Sequence, residues 1–219
     1  MGTLRIRSLL DVLFPRRCAA CDVLLGSVEE GFCGPCAGSL TPLHPASLRE
    51  VPPGLEGLVA ADAYGAALAD AVVRLKHAAR PEIARLLAAR LLARWPVAPV
   101  RDAVLVPVPL HPLDLRRRGY NQAALLAAPL ARAWALPLAQ VLRRVRRTGG
   151  QRGRDAAERR DAVRGVFAIS PRDAPVVANR PVLLVDDVLT TGATAGEAAR
   201  TLRAAGVGPV ILVAAARVL

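Results

Sequence analysis

Apolar residues recur along this chain with two spacings, one typical of buried strands and one typical of amphipathic helices. Short continuous runs rich in Val and Leu predict strands, whereas apolar residues three and four positions apart predict helices. The predicted strands cover residues 58–64, 104–108, 141–145, 163–169, 182–185 and 210–215. The predicted helices cover residues 66–79, 81–95, 121–134 and 191–205, with Pro129 expected to bend the third and Gly206 to end the last. Because strands and helices alternate, we expect an α/β fold with a doubly wound, mainly parallel sheet.

The chain divides into a short amino-terminal part and a longer α/β part. Four prolines between residues 42 and 53 mark a linker between the two. We therefore expect an amino-terminal module over residues 1–45 and an α/β domain over residues 57–219, which is large enough to bury a core without disulfides. The module is expected to start with a short helix whose apolar side consists of Leu4, Leu9, Leu10 and Leu13.

All four cysteines lie close together in the amino-terminal part, as two Cys-x-x-Cys pairs. Cys18 pairs with Cys21, and Cys33 pairs with Cys36. Two such pairs can hold one tetrahedral Zn²⁺, and four thiolates leave no open coordination position, so the metal would be structural. A disulfide framework is disfavoured in a cytoplasmic protein. A thioredoxin-like redox motif would use a single pair at a strand–helix junction.

The most informative segment runs from residue 182 to residue 194. A buried strand leads into Asp186 and Asp187, and a loop of small residues then opens into a helix. Backbone N–H groups at that helix N-terminus, together with threonine hydroxyls, can hold one phosphate. The loop consists of Thr190, Thr191, Gly192, Ala193 and Thr194.

The two carboxylates do not suit the phosphate itself, because like charges repel. They suit the vicinal hydroxyls of a ribose, or a hydrated Mg²⁺, beside that phosphate. The segment therefore indicates a ribose 5-phosphate site. The alternative is an ordinary strand–turn–helix in which Asp186 and Asp187 only cap the helix.

Cations cluster in further places along the α/β domain. Arg116, Arg117 and Arg118 follow the strand predicted over 104–108, where guanidinium groups could hold a pyrophosphate or form a solvated basic loop. Lys76 is another candidate for the pyrophosphate, or it caps its helix. A glycine-rich basic stretch predicts a mobile loop that is either a lid over an anionic substrate or an arm for nucleic acid. The candidate residues of that loop are Gln151, Arg152, Arg154, Arg159 and Arg160.

Several segments carry a resemblance to known families. Residues 182–194 resemble the phosphoribosyl-pyrophosphate (PRPP) motif of type I phosphoribosyltransferases. The other segments are Leu-Phe-Pro before the cysteines, Leu75-Lys76-His77, Val106-Pro107-Val108-Pro109, Arg118-Gly119-Tyr120-Asn121-Gln122, Gln151, and residues 160–167. In this order they are similar to the ComF family, including ComFC-like competence proteins. One departure is Asp161, where the family usually carries Asn, so this position is a poorer candidate for binding phosphate.

The resemblance implies a phosphoribosyltransferase-like domain behind a zinc-binding module. It also implies a cytoplasmic role in natural transformation, in which the protein handles incoming single-stranded DNA beside a helicase partner.

Net charge and composition add weaker constraints. The 219 residues include 30 Lys and Arg against 18 Asp and Glu, a net charge of +12 that favours polyanionic partners such as pyrophosphate or nucleic acid. A compositional bias toward Ala, Arg, Gly and Pro supplies part of this charge. Aromatic residues make up only 3%, so binding of single-stranded DNA would depend on arginine and on salt rather than on base stacking. No apolar stretch is long enough to span a bilayer, and Asp11 interrupts the amino-terminal one, so we expect a cytoplasmic protein.

Three functions fit these features. The first is a phosphoribosyltransferase in which Asp186 and Asp187 hold the ribose hydroxyls and Mg²⁺ bridges hydroxyls and pyrophosphate. No segment clearly builds a nucleobase pocket, so the acceptor is undefined. The second is a non-catalytic single-stranded DNA-binding or partner-binding protein that keeps the PRPP site as a sensor or scaffold. The third is a zinc module that docks a partner beside an inert domain.

Overall fold

The computed structural model of the protein describes residues 15–147 and 163–219. The helices are α1 Gly34–Gly38, α2 Ala66–His77, α3 Ile83–Arg94, α4 Pro112–Arg118, α5 Gln122–Ala133 and α6 Ala193–Ala204. The strands are β1 Gly57–Ala63, β2 Val104–Pro107, β3 Leu142–Arg144, β4 Phe167–Ile169, β5 Val182–Leu189 and β6 Val210–Arg217. Short 3₁₀ turns cover Pro45–Leu48 and Ala174–Val176. Within the described ranges, no helix is both long enough and apolar enough to cross a membrane. The helix expected over residues 4–13 lies outside them.

Four parallel strands form the main sheet in the order β1-β6-β5-β2. Strand β5 lies between two neighbours, since Val182 pairs with both Val210 of β6 and Val104 of β2. Successive residues of a strand face opposite sides of the sheet. Leu183 packs in the core cluster that α2, α3 and α5 share, and Leu184 packs in the cluster that includes α6. The expected doubly wound parallel sheet is therefore confirmed.

Strand β5 is longer than the sequence pattern predicts. The apolar run ends at Val185, but the strand continues through the two aspartates to Leu189. It continues because β6 keeps pairing with it as far as Arg217, which lies opposite Leu189. The acidic residues are thus part of the sheet rather than of the loop that follows it.

Strands β3 and β4 form a separate antiparallel pair. The strand expected over 163–169 is shorter than predicted, because residues 164–165 form a turn before it. Gly165 has a φ of +65°, in the left-handed region that favours glycine, and its N–H donates to Oε1 of Glu197 at 2.6 Å. That hydrogen bond ties the turn to α6.

The segment 112–118 is a helix, although the sequence pattern indicates a loop. The Nδ1 atom of His111 caps it by accepting the N–H of Leu113 at 3.3 Å, and a proline occupies its first turn. Gly119 ends the helix with a φ of +85°. Each end of the four predicted helices lies within two residues of its predicted position, and α5 continues through Pro129.

The four-cysteine module packs onto the α/β domain through apolar and polar contacts. Phe32 shares a core cluster with α2 and α3. Arg74 on α2 donates from Nε to the carbonyl oxygen of Ala20 at 2.6 Å. Arg80, between α2 and α3, forms an ion pair of 2.6 Å with Asp22. The position of helix α2 therefore depends in part on a correctly folded cysteine module.

The cysteine thiols are arranged as a closed metal site. All four Sγ atoms lie within 4.8 Å of one another, and those of Cys21 and Cys33 are 3.6 Å apart. Thiolates about 2.3 Å from a tetrahedral Zn²⁺ are about 3.8 Å from each other. Burial opposes ionisation of the Cys18 thiol, but hydrogen bonds from backbone N–H groups, including that of Cys33, lower its pKa to about 6. The thiolate is the form that binds metal. Burial, followed by the neighbouring thiols, raises the pKa of Cys36, so the observation that fits this donor set to structural zinc is the convergence of the four Sγ atoms.

Loss of the metal should destabilise the protein, because zinc binding supplies folding free energy that this short module cannot obtain from its own core. We expect elemental analysis to find one zinc ion per chain, and Cys21→Ser to lose it. Cys21 is exposed, so this substitution removes a ligand without opening a cavity. A strong chelator should lower the melting temperature of the wild type by about 5 °C or more. It should not affect Cys21→Ser. Removal of the zinc from the wild type with an unchanged melting temperature would contradict the structural role.

Candidate functional site

A small polar cavity lies at the carboxyl ends of β2 and β5. Its volume is about 270 Å³. In parallel sheets, ligands bind outside this edge of the strands. The charged and hydroxyl groups that line it are Lys76, Arg144, Asp186, Asp187, Thr190 and Thr194, joined by Tyr64, Gln122 and residues 108–110. Residues far apart in the sequence are thus brought to one place.

Asp187 and Lys76 form an ion pair in the wall of this cavity. Asp187 is only 3% exposed, and its Oδ2 atom lies 3.0 Å from Nζ of Lys76. Lys76 belongs to the last turn of α2, where the helix dipole favours a cation. Lys76 therefore faces the cavity and also lies at the end of its helix, so the two interpretations are compatible.

Asp186 is half-buried beside this pair. Its Oδ1 atom accepts a hydrogen bond from the backbone N–H of Asp187 at 2.8 Å. Burial, followed by the negative charge of Asp187, raises the pKa of Asp186 to about 7, while the charges of Lys76 and Arg144 act in the opposite direction. The free site thus holds one carboxyl group poised to change charge near neutral pH.

Arg144 is a cation of the site that the sequence pattern missed. It lies on β3, and its guanidinium stands over the ring of Phe167 with 5.7 Å between Cζ and the ring centroid. Burial lowers its pKa, and the charge of Asp186 opposes that change. A signal was present, because alternation along β3 places Arg144 on the same side as the buried Leu142 and opposite the exposed Arg143.

The threonine-glycine loop is divided between two cavities. Thr190 and Thr194 line the cavity of the acidic pair. Thr191, Gly192 and Ala193 line a second cavity of about 280 Å³ on the other side of the loop.

Gly192 fixes the shape of this loop. It begins α6 with a φ of +77°, and an added Cβ would come within 2.4 Å of Pro52 Cβ. The loop therefore presents the side chains of Thr190 and Thr194, two of its three threonines, to the cavity of the acidic pair.

Arg116, Arg117 and Arg118 do not line the cavity. They lie on α4, where Arg118 donates to Oε1 of Gln122 and Arg117 forms an ion pair of 3.6 Å with Asp114. Burial, followed by the charges of Arg118, Lys76 and Arg117, lowers the pKa of His77. The hydroxyl group of Tyr120, two residues after α4, donates to the carbonyl oxygen of Leu75 on α2, so α4 lies beside the end of α2 at the margin of the site.

The predicted basic arm lies outside the described residues. This applies to Gln151, Arg152, Arg154, Arg159 and Arg160. A larger cavity, of about 720 Å³, lies between the cysteine module and α3, and its walls are mainly apolar. The acidic pair, the hydroxyl groups of Thr190 and Thr194, and the cations Lys76 and Arg144 all line the smaller cavity, which is why we regard it as the functional one.

Comparison with known proteins finds a domain match in each of two parts of the chain. Residues 9–47 match the model of the double zinc ribbon domain, and residues 119–218 match the model of the phosphoribosyl transferase domain. Competence protein F of Haemophilus influenzae is 35% identical over 205 residues, which cover 87% of this chain and 85% of that protein. The DNA utilization protein YhgH of Salmonella typhi is 34% identical over 214 residues, covering 86% of this chain and 91% of that protein.

A solved structure with a similar fold is the glutamine PRPP amidotransferase from B. subtilis. It is 24% identical, with a TM-score of 0.39, and the match covers 64% of this chain and 26% of that chain. The family assignment rests on the two relatives and not on this structural match. With at least a third of its residues identical over most of both lengths, this chain belongs to the competence protein F (ComF) family, and it combines a zinc-ribbon module with a phosphoribosyltransferase domain.

Proposed function

We propose that this protein binds PRPP in the cavity at the end of β5, and that it does so as part of DNA handling in natural transformation. The observation that carries the proposal is the meeting of two carboxylates, two threonine hydroxyls and two cations around one cavity. Each group matches a part of a phosphorylated ribose. The DNA-related role follows the names of the relatives, a competence protein and DNA utilization proteins.

The ligand would lie with its 5-phosphate at Thr190, Thr194 and the N-terminus of α6. There, N–H groups and hydroxyls donate to an anion without a competing carboxylate. The ribose diol would meet the acidic pair, since ionised carboxylates accept hydrogen bonds from hydroxyl groups. The pyrophosphate would meet Lys76 and Arg144, the two cations of the cavity wall, in place of the three arginines of α4.

Mg²⁺ fits the same arrangement as a companion of the ligand. The diphosphate and the hydroxyls of PRPP are hard oxygen ligands of the kind that this ion prefers, and bound Mg²⁺ would neutralise part of the charge of the leaving group. The chain's own contribution is to fix the two ends of the sugar phosphate and to place Asp186 beside the diol.

The margin of the cavity favours a nucleic acid as the second partner. Arg147 lies 3.3 Å from Asp114 of α4, which brings the end of β3 and helix α4 together. We call this surface the basic rim; it consists of Arg116, Arg117, Arg118 and Arg147. Arg116, Arg117 and Arg147 are exposed, and Arg118 is half-buried. Because clustered guanidinium groups attract a phosphate backbone, the rim is suited to single-stranded DNA. This would apply equally if the PRPP site were a sensor rather than a centre of turnover.

Replacement of the diol-binding carboxylate should remove PRPP binding. We expect Asp186→Asn to weaken PRPP·Mg²⁺ binding by about a hundredfold, because charge-assisted hydrogen bonds to the sugar hydroxyls are lost. Isothermal titration calorimetry at pH 8 measures this affinity. Asp70→Asn, an exposed position on α2, is the matched control. Equal affinity in the wild type and Asp186→Asn would remove Asp186 from the site.

The same substitution should stabilise the ligand-free protein at high pH. Folding raises the pKa of Asp186 from the ordinary 3.8 to about 7. The folded state therefore holds a proton that the unfolded state releases, and stability falls as the pH rises from about 4 to about 7. Asparagine has no proton to lose. Thermal unfolding should show a higher melting temperature for Asp186→Asn than for the wild type at pH 8, and a smaller difference at pH 5. A difference that does not change with pH contradicts the raised pKa.

Removal of charge from the basic rim should flatten the salt dependence of DNA binding. We expect the combined variant Arg116→Gln, Arg117→Gln and Arg147→Gln to reduce the slope of log affinity against log salt concentration by about 2, at roughly 0.7 for each lost phosphate contact. Fluorescence anisotropy with a labelled oligonucleotide measures this slope. The control variant carries Arg85→Gln, Arg132→Gln and Arg172→Gln, at exposed positions elsewhere. If both variants change the slope equally, the rim is not the binding surface.

A further inference from the structure

The two aspartates of the site have different surroundings. Residues 186 and 187 are consecutive in a strand, so their side chains leave the sheet on opposite sides. Asp187 has the same parity as Leu183 and Val185, which face α2, and it meets Lys76 of that helix. Asp186 has the opposite parity and experiences the charge of Arg144 on β3.

Asp187 is poorly placed to receive a hydroxyl group from the ligand. It is 3% exposed, and among the described residues the Lys76 ammonium is the charged group that faces its Oδ2 atom, at 3.0 Å. A hydroxyl group of the ligand would have to reach an oxygen that is closed to solvent and already faces the Lys76 ammonium. Separating the Asp187 carboxylate from Lys76 is costly, because the carboxylate has already lost its water.

The ion pair with Asp187 gives the Lys76 ammonium group a fixed position. A lysine ammonium moves on a stem of four carbons and is a point charge without a fixed direction. The contact with Asp187 holds it at the cavity, while 28% of the side chain stays exposed to a ligand. Asp186 is half-buried, lines the cavity and accepts one hydrogen bond at Oδ1 from its neighbour.

We propose that Asp187 is a positioning residue that holds Lys76 for the diphosphate end of PRPP, whereas Asp186 alone contacts the ribose diol. This inference rests on the proposed function and makes it more specific. The two aspartates then act on the two sides of the bond between C1 of the ribose and the diphosphate. Asp186 binds the ribose, and Asp187 acts on the diphosphate through Lys76. If both aspartates bound the diol, they would instead act alike toward every ribose phosphate.

Two ligands separate these possibilities, because ribose 5-phosphate has the diol and the 5-phosphate but no diphosphate. Calorimetry with PRPP·Mg²⁺ and with ribose 5-phosphate is run on the wild type, Asp187→Asn, Lys76→Met and Asp186→Asn. We expect Asp187→Asn and Lys76→Met each to weaken PRPP binding by about tenfold or more and to leave ribose 5-phosphate within about twofold. Asp186→Asn should weaken both ligands. Arg85→Met and Asp70→Asn, at exposed positions, are the matched controls.

A double-mutant cycle tests the same inference with PRPP alone. If Asp187 acts through Lys76, the double variant Lys76→Met with Asp187→Asn should lose no more affinity than either single variant. In the double variant Asp186→Asn with Lys76→Met, the fold-loss of PRPP affinity should equal the product of the two single fold-losses. The double variant also removes both charges together, so it should fold even if Lys76→Met leaves Asp187 unpaired and unstable. Lys76→Arg should keep part of the preference for PRPP over ribose 5-phosphate.

The outcomes distinguish this inference from the proposed function. A wild type that binds neither ligand overturns PRPP binding itself. A wild type that binds PRPP, with Asp187→Asn weakening both ligands equally or with additive effects in the Lys76–Asp187 cycle, overturns the positioning role only. Selective loss of PRPP and non-additive effects support it.

Discussion

Strand β5 has a hydrogen-bonded neighbour on each side along its first half and on one side along its second half. Pairing with β6 continues to Leu189, whereas pairing with β2 ends where Val185 lies opposite Pro107. The next acceptor and donor of that ladder have other partners. The carbonyl oxygen of Val108 accepts from Nδ2 of Asn121, and the N–H of Asp187 donates to Oδ1 of Asp186. An opening therefore forms beside β5 at Asp186, where the sheet would otherwise continue, and every group of the site is placed relative to it.

The electrostatics of the site follow from this geometry. Asp186 and Asp187 are consecutive in the part of β5 that pairs with β6 alone, so their side chains point to opposite faces of the sheet. Each face supplies one cation. Helix α2 brings Lys76 to Asp187, and the small β3–β4 sheet brings Arg144 near Asp186. The result is an acidic centre between two positive groups, which is complementary to a sugar that carries an anion at each end.

Residues that are close in sequence could be identified without the structure. Asp186, Asp187, Thr190 and Thr194 lie within nine residues of one another, so a strand–loop–helix interpretation brings them together. The outward position of Thr191 could not be predicted, because it depends on the helix beginning at the left-handed Gly192. The local sequence pattern predicts the helices and strands more reliably than it predicts the direction of each side chain.

Residues that are distant in sequence required the topology. The choice between Lys76 and the arginines of α4 as cavity cations depends on how α2 and α4 pack, and no spacing in the sequence encodes that. Alternation along β3 predicts that Arg144 faces the interior. Only the pairing of β3 with β4 shows that its neighbour there is Phe167. Helix α4 itself could have been recognised from His111 followed by proline and from Gly119 at its end.

The contact between the cysteine module and α2 joins the two halves of the chain mechanically. Arg74, which holds the Ala20 carbonyl, lies two residues before Lys76 on the same helix. A chain that has lost its zinc loses part of the support of that helix, and with it the fixed position of a cation in the cavity. Metal supply and occupancy by a sugar phosphate thus become linked quantities in this protein, although their sites share no atom.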